Sequence, residues 1–465
     1  MSLAEVRHKL QILIPPEDQW TAVDRALYGP EDLYRVEKET AEQLRFEAIT
    51  YSFHYHFCNN RFYRRYCQEE GIVPSDIKAP SELVRIPLIT DTFFKDYPAG
   101  VEFYHWLQKI STVKIPEVSF SKKNPSFDEI IETLAGEGFI VTFTSGSSGR
   151  YSFFPRDTLT WMRQRYSFAR SGVELIRSEY LSGNPAFFRL NAFPNPAKTF
   201  LFSGKIAIAA YGTVFDKENV EYLIDRKVTT DTLRIAMGRG RGFKEKLLGR
   251  LAKINRKKMV AQFGRKIEAY AGQGKKLVIA APPFLVADLL STLEAKGRKL
   301  HLGKNVWLGT AGGWKVPTGG VMLDKSWRER IGELMGIPEE QIRDVYGMSE
   351  CSAFFPDCEG HYKHIPHSFV YPFVVDEELH PLDYGQLGRL AFLDPLPNSY
   401  PGFIITSDRV KILKSCPVCD RPGPVFDNDI SRIIGAEDRG CAAIAREQMT
   451  QALEKGFVPG GSTRG

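Results

Sequence analysis

The chain has 465 residues, of which 43% are hydrophobic and 25% charged, and its formal net charge is +6. This composition is ordinary for a soluble globular protein and the length suggests roughly two or three domains, whereas so small a positive balance does not indicate a nucleic-acid partner. No run of about 18 apolar residues predicts a membrane-spanning helix, and the charged first nine residues lack an apolar signal core. We therefore expect a cytoplasmic protein with no stable membrane insertion.

The predicted elements alternate between helices and strands along most of the chain. Residues 1–75 predict helices, because apolar residues recur three or four positions apart between residues 32 and 64. From residue 130 to 215 short apolar runs alternate with helical patterns, and further strands are expected at 277–281 and 305–309. This alternation predicts an α/β fold.

A tract of small residues separates two apolar, strand-like runs in "FIVTFTSGSSGR", residues 139–150. Small residues let backbone N–H groups turn toward an anion without obstruction, and hydroxyl groups add further donors. The tract therefore predicts a phosphate-binding loop, although the Gly-Lys-Ser/Thr ending of a Walker loop is missing. Its candidate ligands are Thr144, Ser145, Gly146, Ser147, Ser148 and Gly149.

The stretch 234–266 is strongly basic, with twelve Lys or Arg and one acidic residue. Within it, Phe243, Leu247, Leu251 and Ile254 recur at helical spacing. One interpretation is a solvated helix with a single buried apolar stripe. The other is a docking face for an acidic partner, a polyphosphate or an anionic membrane surface. The sequence leaves both open.

Three further stretches contain residues typical of a nucleotide site: "GTAGGWK" (309–315), "DVYGMSE" (344–350) and "ITSDRV" (405–410). In this order and spacing they and the phosphate loop resemble the adenylate-forming superfamily, which includes acyl-CoA synthetases and amino-acid adenylation domains. The resemblance covers residues 80–435 and implies ATP and Mg²⁺ as cofactors.

The resemblance also implies a role for each motif. Tyr346, followed by Gly347, would stack on adenine, and Asp408 would hydrogen-bond the ribose hydroxyls. Ser349 would lie near the α-phosphate, and Glu350 would ligate Mg²⁺, which prefers hard oxygen ligands. The remaining ATP-site candidates are the loop residues 144–149 for the β- and γ-phosphates, Gly312 and Gly313 beside the adenine and the acyl carboxylate, and Arg432.

The chain departs from the superfamily pattern in two places. The usual lysine after the Gly-rich tract is absent, and Arg150 and Arg156 follow instead. The large N-terminal domain of mixed β-sheets flanked by helices would span residues 1–408, which leaves residues 409–465 for a shortened C-terminal domain. In most members that domain is longer and supplies a catalytic lysine, for which Lys455 is only a weak match.

The C-terminal stretch "SRIIGAEDRGCAAIAREQMTQALEKG" (431–456) resembles the end of the acyl-protein synthetases of bacterial bioluminescence, a family related to phenylacetate–CoA ligases. That resemblance implies transfer of the acyl group from AMP to Cys441 and then to a reductase. The residues support the same cysteine, because a helix predicted at 442–455 places Cys441 at its positive end, two residues from Arg439. Both effects favour the nucleophilic thiolate; the alternative is a small residue packed under a terminal helix.

The seven cysteines are odd in number and unevenly spaced, so core thiols, nucleophiles or metal ligands are expected rather than a disulfide framework. The segments "CEGH" and "CPVC" form two close pairs of N and S ligands, which suit a tetrahedral zinc ion with no open catalytic position. The predicted ligands of this structural Zn²⁺ are Cys358, His361, Cys416 and Cys419. Unligated cysteines and a surface histidine are the alternative, and the spare candidate ligands are His364, His367 and Cys351.

The favoured function is ATP-dependent activation of a carboxylic acid, a fatty acid according to the resemblance, as an acyl-adenylate. The acyl group would then pass to Cys441 as a thioester and onward to a partner such as a reductase or a carrier protein. Two alternatives stay open. The chain could load CoA or a carrier-protein thiol directly, or, given the missing lysine, it could be an inactive nucleotide-binding scaffold.

Overall fold

The computed structural model describes residues 3–145, 150–175, 187–205, 214, 219–237, 243–311 and 326–433. Its α-helices are α1 (Leu3–Leu10), α2 (Ala22–Tyr28), α3 (Lys38–Asn59), α4 (Arg61–Glu69), α5 (Val101–Ile110), α6 (Phe127–Gly136), α7 (Thr158–Leu175), α8 (Phe202–Lys205), α9 (Thr230–Ala236), α10 (Phe243–Ala271), α11 (Pro283–Ala295) and α12 (Trp327–Met335). Short 3₁₀ helices lie at Gln11–Leu13, Glu17–Gln19, Pro74–Asp76, Pro80–Arg85, Asp91–Lys95, Pro196–Lys198, Gly303–Asn305 and Glu339–Gln341.

The strands are β1 (Ile89–Thr90), β2 (Ile140–Phe143), β3 (Phe153–Arg156), β4 (Phe187–Pro194), β5 (Val220–Ile224), β6 (Lys276–Ala281), β7 (Val306–Ala311), β8 (Ile342–Tyr346), β9 (Phe355–Pro356), β10 (Lys363–His364), β11 (Tyr371–Val375), β12 (Leu387–Leu393), β13 (Phe403–Leu413), β14 (Val425–Phe426) and β15 (Ser431–Arg432). They form two large sheets and the separate hairpin β2–β3. Mixed sheets flanked by helices confirm the predicted fold class. None of the described helices is both long enough and apolar enough to cross a membrane.

The first sheet has six strands in the order β5-β4-β6-β7-β8-β9. Its strands run parallel except for β9, which pairs antiparallel with β8. Parallel strands are covered on both faces, which explains why β6 is an almost unbroken apolar run, KLVIAA. Helices α10, α11 and α12 pack against this sheet through Ile267, Leu290 and Ile331.

The second sheet has seven strands, with the path β10-β14-β13-β12-β11 and with β1 and β15 also paired to β13. Its pairings are antiparallel except that of β1 with β13. The N-terminal helices pack on β13, where the rings of Phe53 and Tyr63 contact Phe403. Because β13 continues through Leu413 and pairs with β14 and β15, residues as far as 432 belong to this sheet. A separate C-terminal unit after Asp408 stays a prediction.

Two of the sequence motifs leave the six-stranded sheet at one edge. Strands β7 and β8 are parallel neighbours, and Ala311 at the end of β7 pairs with Val345 of β8. Ligands of open parallel sheets bind at the carboxyl ends of the strands. The fold therefore brings residues 309–311, the start of "GTAGGWK", and "DVYGMSE" to the edge where a nucleotide site is expected.

Candidate nucleotide site and Cys–His cluster

The predicted phosphate loop connects the strands of the β2–β3 hairpin. Phe143 pairs with Phe153, and beyond this pair Thr144 and Ser152 exchange two hydrogen bonds. The backbone N–H of Thr144 donates to the Ser152 carbonyl (3.1 Å), and the N–H of Ser152 donates to the Thr144 hydroxyl (2.9 Å). These bonds close the base of the loop and leave Ser145 exposed at its start.

Tyr346 and Asp408 meet although 62 positions separate them in the chain. The Tyr346 hydroxyl donates a hydrogen bond of 2.7 Å to the Asp408 carboxylate. Burial raises the pKa of Tyr346 well above its usual value, and the adjacent Asp408 carboxylate raises it further, so the phenol stays protonated and remains the donor. The "DVYGMSE" and "ITSDRV" motifs are thus parts of one site. Adenine stacking by Tyr346 and ribose binding by Asp408 stay predictions.

The Tyr346 ring packs against aromatic neighbours, and the residue that follows it is a glycine in a tightly packed turn. Its centroid lies 5.8 Å from that of Phe355 and 5.6 Å from that of Phe426, the latter nearly edge-on. Gly347 follows directly, and a Cβ there would come within 2.7 Å of the Phe354 ring. The turn after β8 therefore depends on glycine, which lets the chain pass close to Phe354.

Arg156 joins the hairpin to the turn after β8. It is fully buried on β3 and donates to the Ser349 carbonyl (2.6 Å), to the Gln164 side chain (2.7 Å) and to the Thr142 hydroxyl. Burial lowers the pKa of Arg156, while the nearby Glu350 carboxylate acts in the opposite direction. Arg156 thus fixes the backbone at Ser349 relative to the strand that leads into the phosphate loop.

Arg150 has a different role from Arg156, although the sequence offered both as replacements for the missing loop lysine. Its guanidinium donates to Asp96 (3.3 Å) and to the Tyr97 carbonyl (3.1 Å), and it lies over the Tyr97 ring. Arg150 is exposed, so it stays a candidate for contact with a bound anion. Only the structure distinguishes the buried arginine from the exposed one.

Seven of the predicted site residues lie outside the described residues: Gly146, Ser147, Ser148, Gly149, Gly312, Gly313 and Cys441. Arg432 is described as a backbone position on β15, where it pairs with Asp408. Ser349 is buried and Glu350 half-buried beside Arg156, so both lie in the turn after β8. The α-phosphate contact of Ser349 and Mg²⁺ ligation by Glu350 stay predictions.

The second candidate site is a cluster of three cysteines and one histidine, which we call the Cys–His cluster: Cys358, His364, Cys416 and Cys419. Their ligand atoms all lie within 4.8 Å of one another. The Cys358 and Cys416 sulfurs are 3.7 Å apart, and the Cys419 sulfur is 3.3 Å from Nε2 of His364. Thiolates bound about 2.3 Å from a tetrahedral zinc ion lie about 3.8 Å apart, so the residues present fit zinc.

The structure groups His364, one of the spare candidates, with the three cysteines, and not the predicted ligand His361. His361 has a positive φ of 65° and its Nε2 contacts Glu339 at 2.8 Å, outside the cluster. His364 instead lies on β10, where its pairing with Val425 of β14 brings it to the cysteines. The C-x₂-H spacing was misleading because the turn after Cys358 directs His361 to other partners.

The electrostatics of the Cys–His cluster suit metal ligation. Burial lowers the pKa of His364 to about 4, helped by Arg421, so its imidazole is neutral and able to bind a metal. Burial also raises the pKa of Cys358 to about 12. Burial acts to raise the pKa of Cys416 as well, but N–H groups of Cys419 and Val418 donate to its sulfur and leave the pKa below its usual value. A bound cation would stabilise the thiolate at both cysteines.

The two candidate sites are linked through β14. Val425 packs with Cys358 and Cys416, while the next residue, Phe426, contacts the Tyr346 ring. The turn after Cys358 also passes close to the 416–419 segment at Gly360, because a Cβ there would lie 2.5 Å from the Val418 side chain. The Cys–His cluster therefore supports the strand pair that borders Tyr346.

Solved structures of acyl-CoA ligases share this fold. A 2-hydroxyisobutyryl-CoA ligase in the postadenylation state with 2-HIB-AMP superposes over 92% of this chain and 74% of that one, with a TM-score of 0.56 and 14% identity. An open conformation of such a ligase with 2-HIB-AMP and CoA covers 87% and 72%, with a TM-score of 0.55 and 15% identity. The chain has the fold of these ligases.

A narrower relationship comes from the sequence of the second half. Residues 255–450 match the family described as acyl-protein synthetase, LuxE. The chain is 27% identical to a long-chain-fatty-acid–luciferin-component ligase of Vibrio harveyi over 186 residues, which are 39% of this chain and 48% of that protein. The corresponding ligase of Aliivibrio fischeri is 28% identical over 170 residues, or 36% and 44%. The chain spans about half the length of the curated relatives it matches, and its resemblance to LuxE-type acyl-protein synthetases is confirmed.

Proposed function

We propose that this chain is an ATP-dependent ligase that converts a carboxylic acid into an acyl-adenylate and then transfers the acyl group to Cys441. The observation that carries the proposal is the hydrogen bond between Tyr346 and Asp408, which unites two nucleotide motifs at the edge of a fold shared with acyl-CoA ligases. A long-chain fatty acid is the proposed substrate, because the curated relatives are named for that substrate.

In the first step, a carboxylate oxygen of the acid attacks the α-phosphorus of ATP. The new P–O bond gives the acyl-adenylate, and the bond to the β-phosphate breaks to release pyrophosphate. Mg²⁺, when bound by Glu350, would neutralise charge on the phosphates. The protein's own contribution is positioning: Asp408 and Tyr346 hold the nucleoside, and the loop after Thr144 receives the phosphates through backbone N–H groups.

In the second step, the Cys441 thiolate attacks the acyl carbonyl, a C–S bond forms and AMP leaves with the electron pair of the broken C–O bond. The match to the LuxE family extends to residue 450 and so includes this cysteine. The resulting thioester would be delivered to a reductase or carrier protein. Direct transfer to CoA is the alternative that the structural neighbours favour.

We further propose that the Cys–His cluster holds a structural Zn²⁺. Its support is the spacing of four N and S ligand atoms, with Cys358 and His364 buried. Four protein ligands leave no coordination position for a substrate, so the ion would stabilise β10 and β14 rather than take part in catalysis.

The deciding experiment combines pyrophosphate exchange with intact-mass analysis. The full chain is incubated with ATP, Mg²⁺ and a panel of carboxylic acids of increasing length, and wild type is compared with Cys441→Ala. We expect acid-dependent ATP–pyrophosphate exchange in both proteins, and a hydroxylamine-sensitive mass increase of one acyl group in wild type alone. Cys58→Ala is the matched control, because Cys58 is an exposed free cysteine outside the site.

Each rival function has its own outcome. Equal acyl-CoA formation by wild type and Cys441→Ala would indicate a CoA ligase. No acid-dependent exchange with any acid would contradict adenylation and favour the inactive scaffold.

A further inference from the structure

Helix α10 presents apolar side chains to solvent in its N-terminal half. Leu247 is 49% exposed and Ile254 is 53% exposed. They are seven residues apart, so they lie on one face of the helix, separated by about 20° of rotation. The sequence places Phe243 and Leu251 at the same helical register. We call Leu247 and Ile254 the α10 stripe.

The opposite face of the same helix attaches it to the protein. Val260, Phe263 and Ile267 are buried in the core of the six-stranded sheet. Phe263 follows Ile254 by nine residues, a rotation of roughly 180°. The expectation of a single buried stripe is therefore wrong for Leu247 and Ile254, because the stripe that is buried lies in the second half of the helix and faces the other way.

Positive charge borders Ile254, the second residue of the α10 stripe, on both sides. Lys257 and Lys258 are exposed, and their register places one about 60° from Ile254 in one direction and the other about 40° in the opposite direction. The surrounding stretch 234–266 has twelve basic residues and one acidic residue. An apolar stripe bordered by Lys and Arg is the pattern of a helix that lies in a membrane interface, with apolar side chains at the acyl boundary and ammonium groups among the lipid phosphates.

We propose that the N-terminal half of α10 docks reversibly on an anionic membrane surface through the α10 stripe. A membrane is favoured over an acidic protein because exposed lysines flank Ile254 on both sides, which matches a continuous anionic plane. Docking would bring the chain to the phase in which long-chain acids accumulate. That consequence rests on the proposed function, whereas the docking itself does not.

Vesicle flotation with the full chain tests the proposal. We expect binding to phosphatidylcholine vesicles that contain about a third phosphatidylglycerol, little binding to phosphatidylcholine alone, and release at high salt. Leu247→Glu/Ile254→Glu should weaken binding by at least about tenfold, because two apolar anchors become charged. Lys257→Glu/Lys258→Glu should weaken binding to anionic vesicles only. Ile12→Glu, at an exposed apolar residue of another surface, should bind like wild type.

The remaining outcomes overturn the proposal. Wild type that does not float with anionic vesicles, or a stripe variant that floats equally well, would contradict membrane docking. A wild-type dimer that Leu247→Glu/Ile254→Glu converts to a monomer, without vesicle binding, would assign the stripe to a second copy of the chain. Pyrophosphate exchange with a short soluble acid should be the same in wild type and the stripe variant, so failure of adenylation and failure of docking are separate results.

Discussion

The two candidate sites lie on either side of β14, and they are held together by different forces. At the nucleotide site, buried polar groups satisfy one another: Tyr346 donates to Asp408, and Arg156 donates to the Ser349 carbonyl. In the Cys–His cluster, the polar contacts of the ligand atoms all involve sulfur, which is a weak hydrogen-bond partner: Cys416 faces the Cys358 sulfur and a backbone N–H, and Cys419 faces the His364 imidazole. The first site is ordered by its own hydrogen bonds, whereas under our zinc proposal the bound ion would hold the second together.

This difference predicts an unequal response to perturbation. Loss of the ion should disturb the cluster first and reach Tyr346 only through Phe426 on β14. Loss of a hydrogen bond at the nucleotide site should leave the cluster intact. The predictions below test this asymmetry, from the largest expected effect to the smallest.

The largest effect is expected from removal of a cluster ligand. Cys416→Ala should abolish the binding of one zinc ion per chain and lower the free energy of unfolding by several kcal/mol, on the order of 5, because metal binding and folding are coupled in structural zinc sites. Metal content by elemental mass spectrometry and urea unfolding are the measurements. Chelation of zinc from wild type should give the same destabilisation. This measurement tests the prediction even if Cys416→Ala does not fold.

The matched pair His364→Ala and His361→Ala sharpens this test. Only His364→Ala should release zinc, because His361 contacts Glu339 outside the cluster. Release by His361→Ala alone would restore the assignment made from the C-x₂-H spacing. A purified chain without zinc, whose melting temperature does not respond to chelator, would mean that the thiols are unligated.

The next effect concerns Arg156. Arg156→Gln should lower the free energy of unfolding by about 3 kcal/mol, because the Ser349 carbonyl and Gln164 would lose a charged donor in a buried position. It should also raise the KM for ATP in pyrophosphate exchange measured well below the melting temperature, since the backbone at Ser349 is no longer fixed. Arg156→Lys should recover part of both losses.

Arg150→Gln is the control for Arg156→Gln. Arg150 is exposed and its ion pair with Asp96 is worth less than about 1 kcal/mol, so stability should change little. A wild-type KM in Arg156→Gln would reduce Arg156 to a structural residue with no effect on the site.

The sequence could predict the residues that belong to short motifs, but not the features that depend on how distant strands and helices pack. Tyr346 and Asp408 were identified because each belongs to a short motif, and β8 and β13 bring those motifs together. His364 was only a spare candidate, because the pairing of β10 with β14 is a tertiary feature that spacing does not encode. Helical spacing likewise identified which residues of α10 share a face, but it does not reveal that Leu247 faces solvent.

A smaller effect is expected at Tyr346 itself. Tyr346→Phe should weaken ATP binding several-fold and cost about 1 kcal/mol of stability, because Asp408 loses its hydroxyl donor. Calorimetric titration with ATP measures the affinity, and Tyr384→Phe, at an exposed tyrosine, is the control. If the ring stacks on adenine, Tyr346→Leu should weaken binding further than Tyr346→Phe. Equal affinities for these two variants would argue against stacking.

The smallest effect is a pH dependence from Asp394, which accepts hydrogen bonds from the N–H groups of Ser352 (2.6 Å) and Leu396 (3.0 Å). Burial raises the pKa of Asp394 to about 6, above the usual 3.8 of an aspartate. The folded protein therefore holds a proton that the unfolded chain releases, so the stability that this group contributes is fully present below pH 4 and is lost as the pH rises through about 6. We expect a decline on the order of 1 kcal/mol over that window, superimposed on other titrations. Urea unfolding at several pH values measures this decline. The decline should be missing from Asp394→Asn, whatever the overall stability of that variant. If the free energy of unfolding has the same slope against pH between pH 4 and 6 in wild type and in Asp394→Asn, the Asp394 carboxylate is ionised in the folded protein. The turn after β8 would then be held by a charged acceptor.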